Sequence, residues 1–189
     1  VEIIEQPRPA GFGDAVLRGE GFVGSEPFLL FLGDHVYRSE DPARSCARQV
    51  VSAWERCPGA AMIGVQPVPE EGLSLVGAYR GELLEKRIYA AREFIEKPDR
   101  TQARERLVTP GLQMGTYLAH CGIYFLTEDI FAGLKSVARE KPEAAELSLA
   151  EAQQKLLAAR PEEYRLCGIA GRGYDTGTPQ TYALALAAF

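Results

Sequence analysis

Two aspartates stand where a phosphate-handling metal could be held. Asp34 follows the apolar run Phe28-Leu29-Leu30-Phe31-Leu32-Gly33, and Asp175 lies within Gly173-Tyr174-Asp175-Thr176-Gly177-Thr178-Pro179. A carboxylate at the carboxyl end of a buried strand sits where open α/β sheets bind ligands. Magnesium takes one or two protein carboxylates and completes its shell with phosphate oxygens and water. Each aspartate alone has a plainer reading. Asp34 is then a turn former after Gly33, and Asp175 closes an Asx-turn ahead of the Thr178 helix cap. As a pair they are consistent with one shared ion, although spacing alone does not bring them together.

A third segment, Phe94-Ile95-Glu96-Lys97-Pro98, offers complementary chemistry. Pro98 removes a backbone donor and restrains Lys97 to an extended conformation, so a strand ends here. Glu96 can accept hydrogen bonds from hydroxyls, and Lys97 supplies a compact positive charge for a phosphate. A solvated Glu–Lys pair is the commoner use of such a dipeptide. Strict strand alternation also sends the two side chains to opposite faces; if both reach one ligand, the backbone twists or bulges at this point. The remaining polar and aromatic residues are read plainly. His35 is an exposed turn histidine, His120 and Cys121 are strand-flank packing, Arg87, Arg92 and Arg104 are solvated surface, and Trp54 is core or an interface anchor.

The elements that must position these residues alternate between strand and helix. Ile3-Ile4 reads as the end of a strand, and Asp14–Gly19 as a short helix. Phe28–Leu32 and Ala60–Val65 are continuous apolar runs, the pattern of strands covered on both faces of a parallel sheet. Between them, Cys46, Val50 and Trp54 recur at helical spacing. Leu73–Arg80 and Leu83–Ile95, joined through Gly81-Glu82, resemble an antiparallel ribbon over one edge. Cys121–Leu126 and Tyr164–Ile169 are further strands. Thr127 is expected to cap one helix, Ser148 with Glu151 to open another, and Thr178 with Pro179 to open the last. The predicted fold is α/β, a mainly parallel Rossmann-like sheet with an antiparallel ribbon and no opening βα unit.

The bulk numbers agree with one such domain over residues 1–189. Lys and Arg number 21 against 26 Asp and Glu, a net charge of −5. An acidic surface argues against nucleic-acid or anionic-membrane partners. No apolar run approaches the ~20 residues of a membrane helix. The four cysteines have no CxxC spacing, which fits reduced thiols in a cytoplasmic protein.

The order of the motifs resembles the sugar-1-phosphate nucleotidyltransferase family, and within it the bacterial UTP–glucose-1-phosphate uridylyltransferases. Gln6-Pro7, Gly11-Phe12-Gly13-Asp14-Ala15-Val16 and Leu32-Gly33-Asp34 carry the likeness first. Met62-Ile63-Gly64-Val65-Gln66-Pro67-Val68-Pro69-Glu70-Glu71 is similar nearly residue for residue. Phe94–Pro98 resembles the family's "(V/I)EKP" strand, Cys121-Gly122-Ile123-Tyr124-Phe125 its "GRY" strand, and Glu146–Leu156, more loosely, its "GEIQLTDAI" helix. The family's glycine-rich loop is not in the chain, which therefore reads as the C-terminal part of a catalytic domain.

The resemblance implies roles for particular residues. Asp34 and Asp175 hold a catalytic Mg2+, Lys97 binds the glucose 1-phosphate phosphate, and Glu96 binds the sugar hydroxyls. Gly77 and Gly122 let backbone approach the sugar, Gln6 and Gly11 face the nucleobase, and Gly33 belongs to the same substrate-binding set. It implies UTP and glucose 1-phosphate, or UDP-glucose, as ligands. Sugar phosphate attacks the α-phosphorus without a covalent enzyme intermediate, which explains the lack of a nucleophile–base pair in the sequence. Asp175-Thr176-Gly177-Thr178 is closer to the thymidylyltransferase relatives, so a thymidylyltransferase-like enzyme and a non-catalytic sugar-nucleotide-binding module stay as alternatives. The ribbon 73–95 and the closing helix 181–189 offer apolar surface for a homo-oligomer.

Overall fold

The apolar run Ala60–Val65 becomes a central strand because helices cover both of its faces, whereas Phe28–Leu32, expected to be covered likewise, forms a half-buried edge strand with Phe31 exposed. The computed structural model describes residues 1–189. In chain order it contains α1 (Phe12–Arg18), α2 (Glu20–Val23), β1 (Phe28–Phe31), β2 (His35–Ser39), α3 (Cys46–Arg56), β3 (Ala61–Pro69), a 3-10 turn (Glu70–Leu75), β4 (Ala78–Glu85), β5 (Ile88–Ile95), α4 (Arg100–Arg106), β6 (Thr116–Leu126), α5 (Asp129–Glu140), α6 (Leu149–Ala159), β7 (Tyr164–Gly168), β8 (Gly171–Asp175) and α7 (Pro179–Leu186). Residues 1–11 hold no strand, so the expected strand end at Ile3-Ile4 is absent.

Six strands form the central sheet in the order β1-β6-β3-β7-β5-β4. The α/β class is as expected, but the mainly parallel sheet is not. Only β3 and β7 pair in parallel, with Ile63 opposite Leu166; every other pairing is antiparallel. The reason lies in β6. β1 and β3 run in the same direction, as a strand–helix–strand crossover through α3 requires, but β6 inserts antiparallel between them. A continuous apolar run reports that both faces are buried and says nothing about the direction of the neighbour. The ribbon is also corrected. β4 and β5 are integral strands, with Ala78 opposite Ile95, and they turn at Lys86-Arg87 rather than at Gly81-Glu82.

On one face, β3 and β6 side chains such as Ile63, Val65 and Leu126 pack against Ile130, Phe131 and Leu134 of α5 and Ala152 and Leu156 of α6. On the other, Met62, Ile123 and Cys167 meet Cys46, Val50 and Ala53 of α3. The amphipathic helices are therefore fixed by burial of one stripe each. Local caps set their starts. Ser148 Oγ accepts from the Glu151 N–H at 3.2 Å, and Thr178 forms a reciprocal capping box with Thr181 ahead of Pro179. Thr127 does not cap α5; its hydroxyl donates to the Ala60 carbonyl at 3.1 Å and to Asp129 at 3.0 Å. A buried polar cluster links sheet to helix: Gln153 Oε1 accepts from both Tyr79 and Tyr164, each at 2.9 Å. No helix is long and apolar enough to cross a membrane.

Candidate metal and sugar-phosphate site

A second, two-stranded sheet of β2 and β8 lies outside the main one. It brings the two aspartates together. Its antiparallel register places His35 opposite Asp175 and Tyr37 opposite Gly173. β1 delivers Asp34 through the turn Leu32-Gly33, and Thr176 then clamps that turn. The Thr176 N–H and hydroxyl both donate to the Asp34 carbonyl, at 2.7 and 2.8 Å. The Gly177 N–H donates to Asp175 Oδ1 at 2.6 Å. A Cβ on Gly177 would stand 3.1 Å from oxygens of both aspartates, so a side chain there would crowd the pair.

One ligand atom each from Asp34, His35 and Asp175 lies within 4.8 Å of the other two. His35 Nδ1 is 2.9 Å from Asp34 Oδ1. No lysine or arginine forms an ion pair with either aspartate. The Asp34 side chain keeps 57% of its surface, leaving room for oxygen ligands from solvent or a phosphate. Carboxylates brought this close repel unless a cation or proton lies between them. The donor set suits a hard divalent cation with an incomplete protein shell.

Beside this pair is a cavity of about 390 Å³ lined by Leu32, Glu96, Lys97, His120, Tyr124 and Gln153, among others. Leu32 belongs to the strand end that carries Asp34. Gly122 joins the two regions. It sits where β6 bulges, its φ is +77°, and a Cβ there would stand 3.0 Å from Leu32 Cδ1 and 3.1 Å from His35 Cδ2. Gly77 lies under Glu96: its Cβ would come within 2.6 Å of Glu96 Oε2 and of the Phe94 ring.

The Glu96-Lys97 segment differs from the sequence expectation in an instructive way. Lys97 is not extended; its φ is +48°, in the left-handed region. That turn breaks strand alternation directly after β5, and both side chains line the same cavity. Pro98 and the Asp99–Gln102 capping box then start α4, so the chain reverses sharply within a few residues. Protein packed around the Glu96 carboxyl raises its pKa by desolvation, and the neighbouring Lys97 charge opposes this only in part. Burial likewise lowers the His120 imidazole to about 4, with His35 adding to the effect.

Of the other predicted residues, Gly33 sits in the turn beside Asp34, whereas Gln6 and Gly11 lie apart from this centre. Gln6 Nε2 donates to the Gly11 carbonyl at 3.0 Å and to Asp14 Oδ2 at 2.8 Å. Gly11 (φ +90°) packs on Glu146 and Leu147, where a Cβ would meet backbone at 2.8 Å. Both belong to the loop entering α1, on the side of the cavity that Phe12 and Leu147 line. Gly33 faces open space. Sequence reasoning missed His35 as a third potential ligand and missed His120, Tyr124 and Gln153 in the cavity. One signal existed: His120 and Tyr124 are an even number of residues apart on one strand, which puts them on the same face.

This fold is that of the nucleotidyl transferases. The profile of the family described as "Nucleotidyl transferase" matches residues 1–188, and the chain belongs to that family. Among its relatives is the UTP–glucose-1-phosphate uridylyltransferase YngB of Bacillus subtilis (strain 168), 31% identical over 177 residues that cover 94% of this chain and 53% of the relative. A second B. subtilis UTP–glucose-1-phosphate uridylyltransferase is 33% identical over 156 residues, covering 82% and 48%. The solved structure of a UDP-glucose pyrophosphorylase complexed with UDP-glucose matches with a TM-score of 0.77 at 30% identity, over 97% of this chain and 63% of that one. The chain thus spans about half the length of the curated relatives it matches.

Proposed function

We propose that this chain supplies the metal-binding and sugar-phosphate-binding part of an enzyme that makes UDP-glucose and pyrophosphate from UTP and glucose 1-phosphate. The observation that carries this reading is the meeting of Asp34 and Asp175 beside a cavity that Glu96 and Lys97 share. Asp34 and Asp175, with His35 in reach, would hold the divalent ion, which the oxygen donors and open shell favour as Mg2+. A bound ion supplies charge stabilisation to phosphate oxygens.

The chain's own residues do the rest by positioning. Lys97 Nζ holds the phosphate monoester as a point charge, and Glu96 accepts hydrogen bonds from sugar hydroxyls. Gly77 and Gly122, with no side chains, let the pyranose approach the backbone. Gln6 and Gly11 would face the nucleobase, and Gly33, beside Asp34, would belong to the substrate-binding set. A phosphate oxygen of the sugar attacks the α-phosphorus of UTP; the new P–O bond forms as the α–β bridge breaks, and pyrophosphate leaves with the electron pair. No enzyme nucleophile is needed, so the rate comes from alignment and fixed charge. No residue of this chain is assigned to the β- and γ-phosphates.

The test is pyrophosphate release by the product of the whole reading frame, with UTP or dTTP and glucose 1-phosphate. Asp34→Asn and Asp175→Asn should each lower kcat/KM by at least about 100-fold, the scale of losing several kcal/mol of metal-derived stabilisation. No release with either nucleotide, or full activity in both variants, refutes the reading.

A further inference from the structure

The cavity that Glu96 and Lys97 line also carries, on β6, a hydrogen-bond donor without a partner. His120 Nδ1 lies 3.1 Å from Tyr124 Oη, and that phenol has no other partner in the chain. The Tyr124 side chain is buried. If the imidazole donated through Nδ1–H, the phenol would leave its own hydrogen unpaired in the interior, at a cost of about 1–3 kcal/mol. The phenol therefore donates, Nδ1 accepts, and the single proton of the neutral ring resides on Nε2. Burial keeps the ring neutral at physiological pH. The His120 backbone is itself pinned, its N–H donating to the Gly77 carbonyl at 3.0 Å. A rigid strand, a fixed tautomer and a cavity-lining position leave one outward group, the Nε2–H.

We infer that His120 is a specificity-determining residue whose Nε2–H donates to an oxygen of the hexose 1-phosphate, with Tyr124 as the positioning residue that fixes its tautomer. This rests on the sugar-phosphate reading of the cavity. The three polar groups then divide the work. Lys97 supplies charge, Glu96 accepts, and His120 gives a neutral, directional donor. Such a donor enforces selectivity because a ligand lacking the matching acceptor leaves the N–H unpaired in a desolvated wall.

The experiment compares KM for glucose 1-phosphate with KM for UTP in the whole-reading-frame protein. His120→Leu should raise the first about tenfold, the scale of one lost hydrogen bond, and leave the second within about twofold. His120→Gln, whose amide places a donor near the same point, should recover most of the loss. Tyr124→Phe frees the tautomer and should fall between them. Thermal melts of each variant accompany the kinetics; if His120→Leu fails to fold, His120→Gln and Tyr124→Phe carry the comparison. Unchanged KM for glucose 1-phosphate in the folded variants, or equal rises for both substrates, overturns the role of His120 alone. A wild-type protein that neither turns over nor binds glucose 1-phosphate by calorimetry overturns the cavity assignment and this inference with it.

Discussion

Gly122→Ala tests whether the join between the acidic pair and the cavity is as tight as the backbone implies. The residue has φ +77°, and a Cβ would stand 2.9 Å from Tyr37 Oη, 3.0 Å from Leu32 Cδ1 and 3.1 Å from His35 Cδ2. The left-handed backbone alone costs an L-residue about 1–2 kcal/mol. Overpacking adds about 1–3 kcal/mol because Leu32, whose N–H donates to the Gly122 carbonyl at 3.3 Å, and Tyr37, on β2, cannot swing aside freely. A total of about 3 kcal/mol, at roughly 2–4 °C per kcal/mol for a chain of this size, lowers Tm by roughly 6–12 °C. Two controls separate the contributions. Gly111 has φ +88° with nothing within 4 Å, so Gly111→Ala shows the backbone cost alone, about 1 kcal/mol and roughly 2–4 °C. Gly33 has open space and no such φ, so Gly33→Ala should leave Tm within about 1 °C, as surface changes usually do. Differential scanning calorimetry reads all three. Equal shifts for Gly122→Ala and Gly111→Ala would refute the steric half of the reasoning, and no shift for either would refute both halves.

Gln153→Leu should be the most destabilising single polar change in the core. It leaves the Tyr79 and Tyr164 hydroxyls without their shared acceptor, and their mutual contact at 3.4 Å is too long to replace it. The expected loss is about 2–4 kcal/mol in urea unfolding, and less than 1 kcal/mol would contradict it. Glu96→Gln should stabilise the chain at neutral pH while weakening glucose 1-phosphate binding. The folded-state pKa of Glu96 is raised above its unfolded value by desolvation, so the folded chain holds that proton more tightly. The favourable contribution is present at low pH and is lost as pH rises through the folded pKa. The gain from Glu96→Gln should therefore grow between acidic and neutral pH, and a gain independent of pH would sink the assignment.

Much of the fold was legible because burial is written locally. The run Ala60–Val65, the spacing of Cys46, Val50 and Trp54, and the Ser148 and Thr178 caps all report which faces are covered and where helices start. The pairing partners were not legible. Nothing within Thr116–Leu126 announces that it inserts antiparallel between β1 and β3, since an apolar run reads the same in either direction. The hairpin β4–β5 turns at Lys86-Arg87, with Arg87 at φ 61°, although neither residue is a usual turn former. The preceding Gly81-Glu82 drew the turn assignment by composition. Instead it lies within β4, where the register shifts.

The site divides in the same way. Residue type alone made Asp34, Asp175, Glu96 and Lys97 candidates, because carboxylates and a lysine beside strand ends are the groups that phosphate chemistry needs. Three things required the tertiary structure: the short β2–β8 sheet that sets His35 against Asp175, the left-handed turn at Lys97 that puts it beside Glu96, and the bulge at Gly122 that brings β6 against Leu32 and His35. Chemical capacity is a property of each side chain and travels with the sequence. Proximity between residues more than a hundred positions apart depends on the packing of the whole chain, and it exists only once that packing has formed.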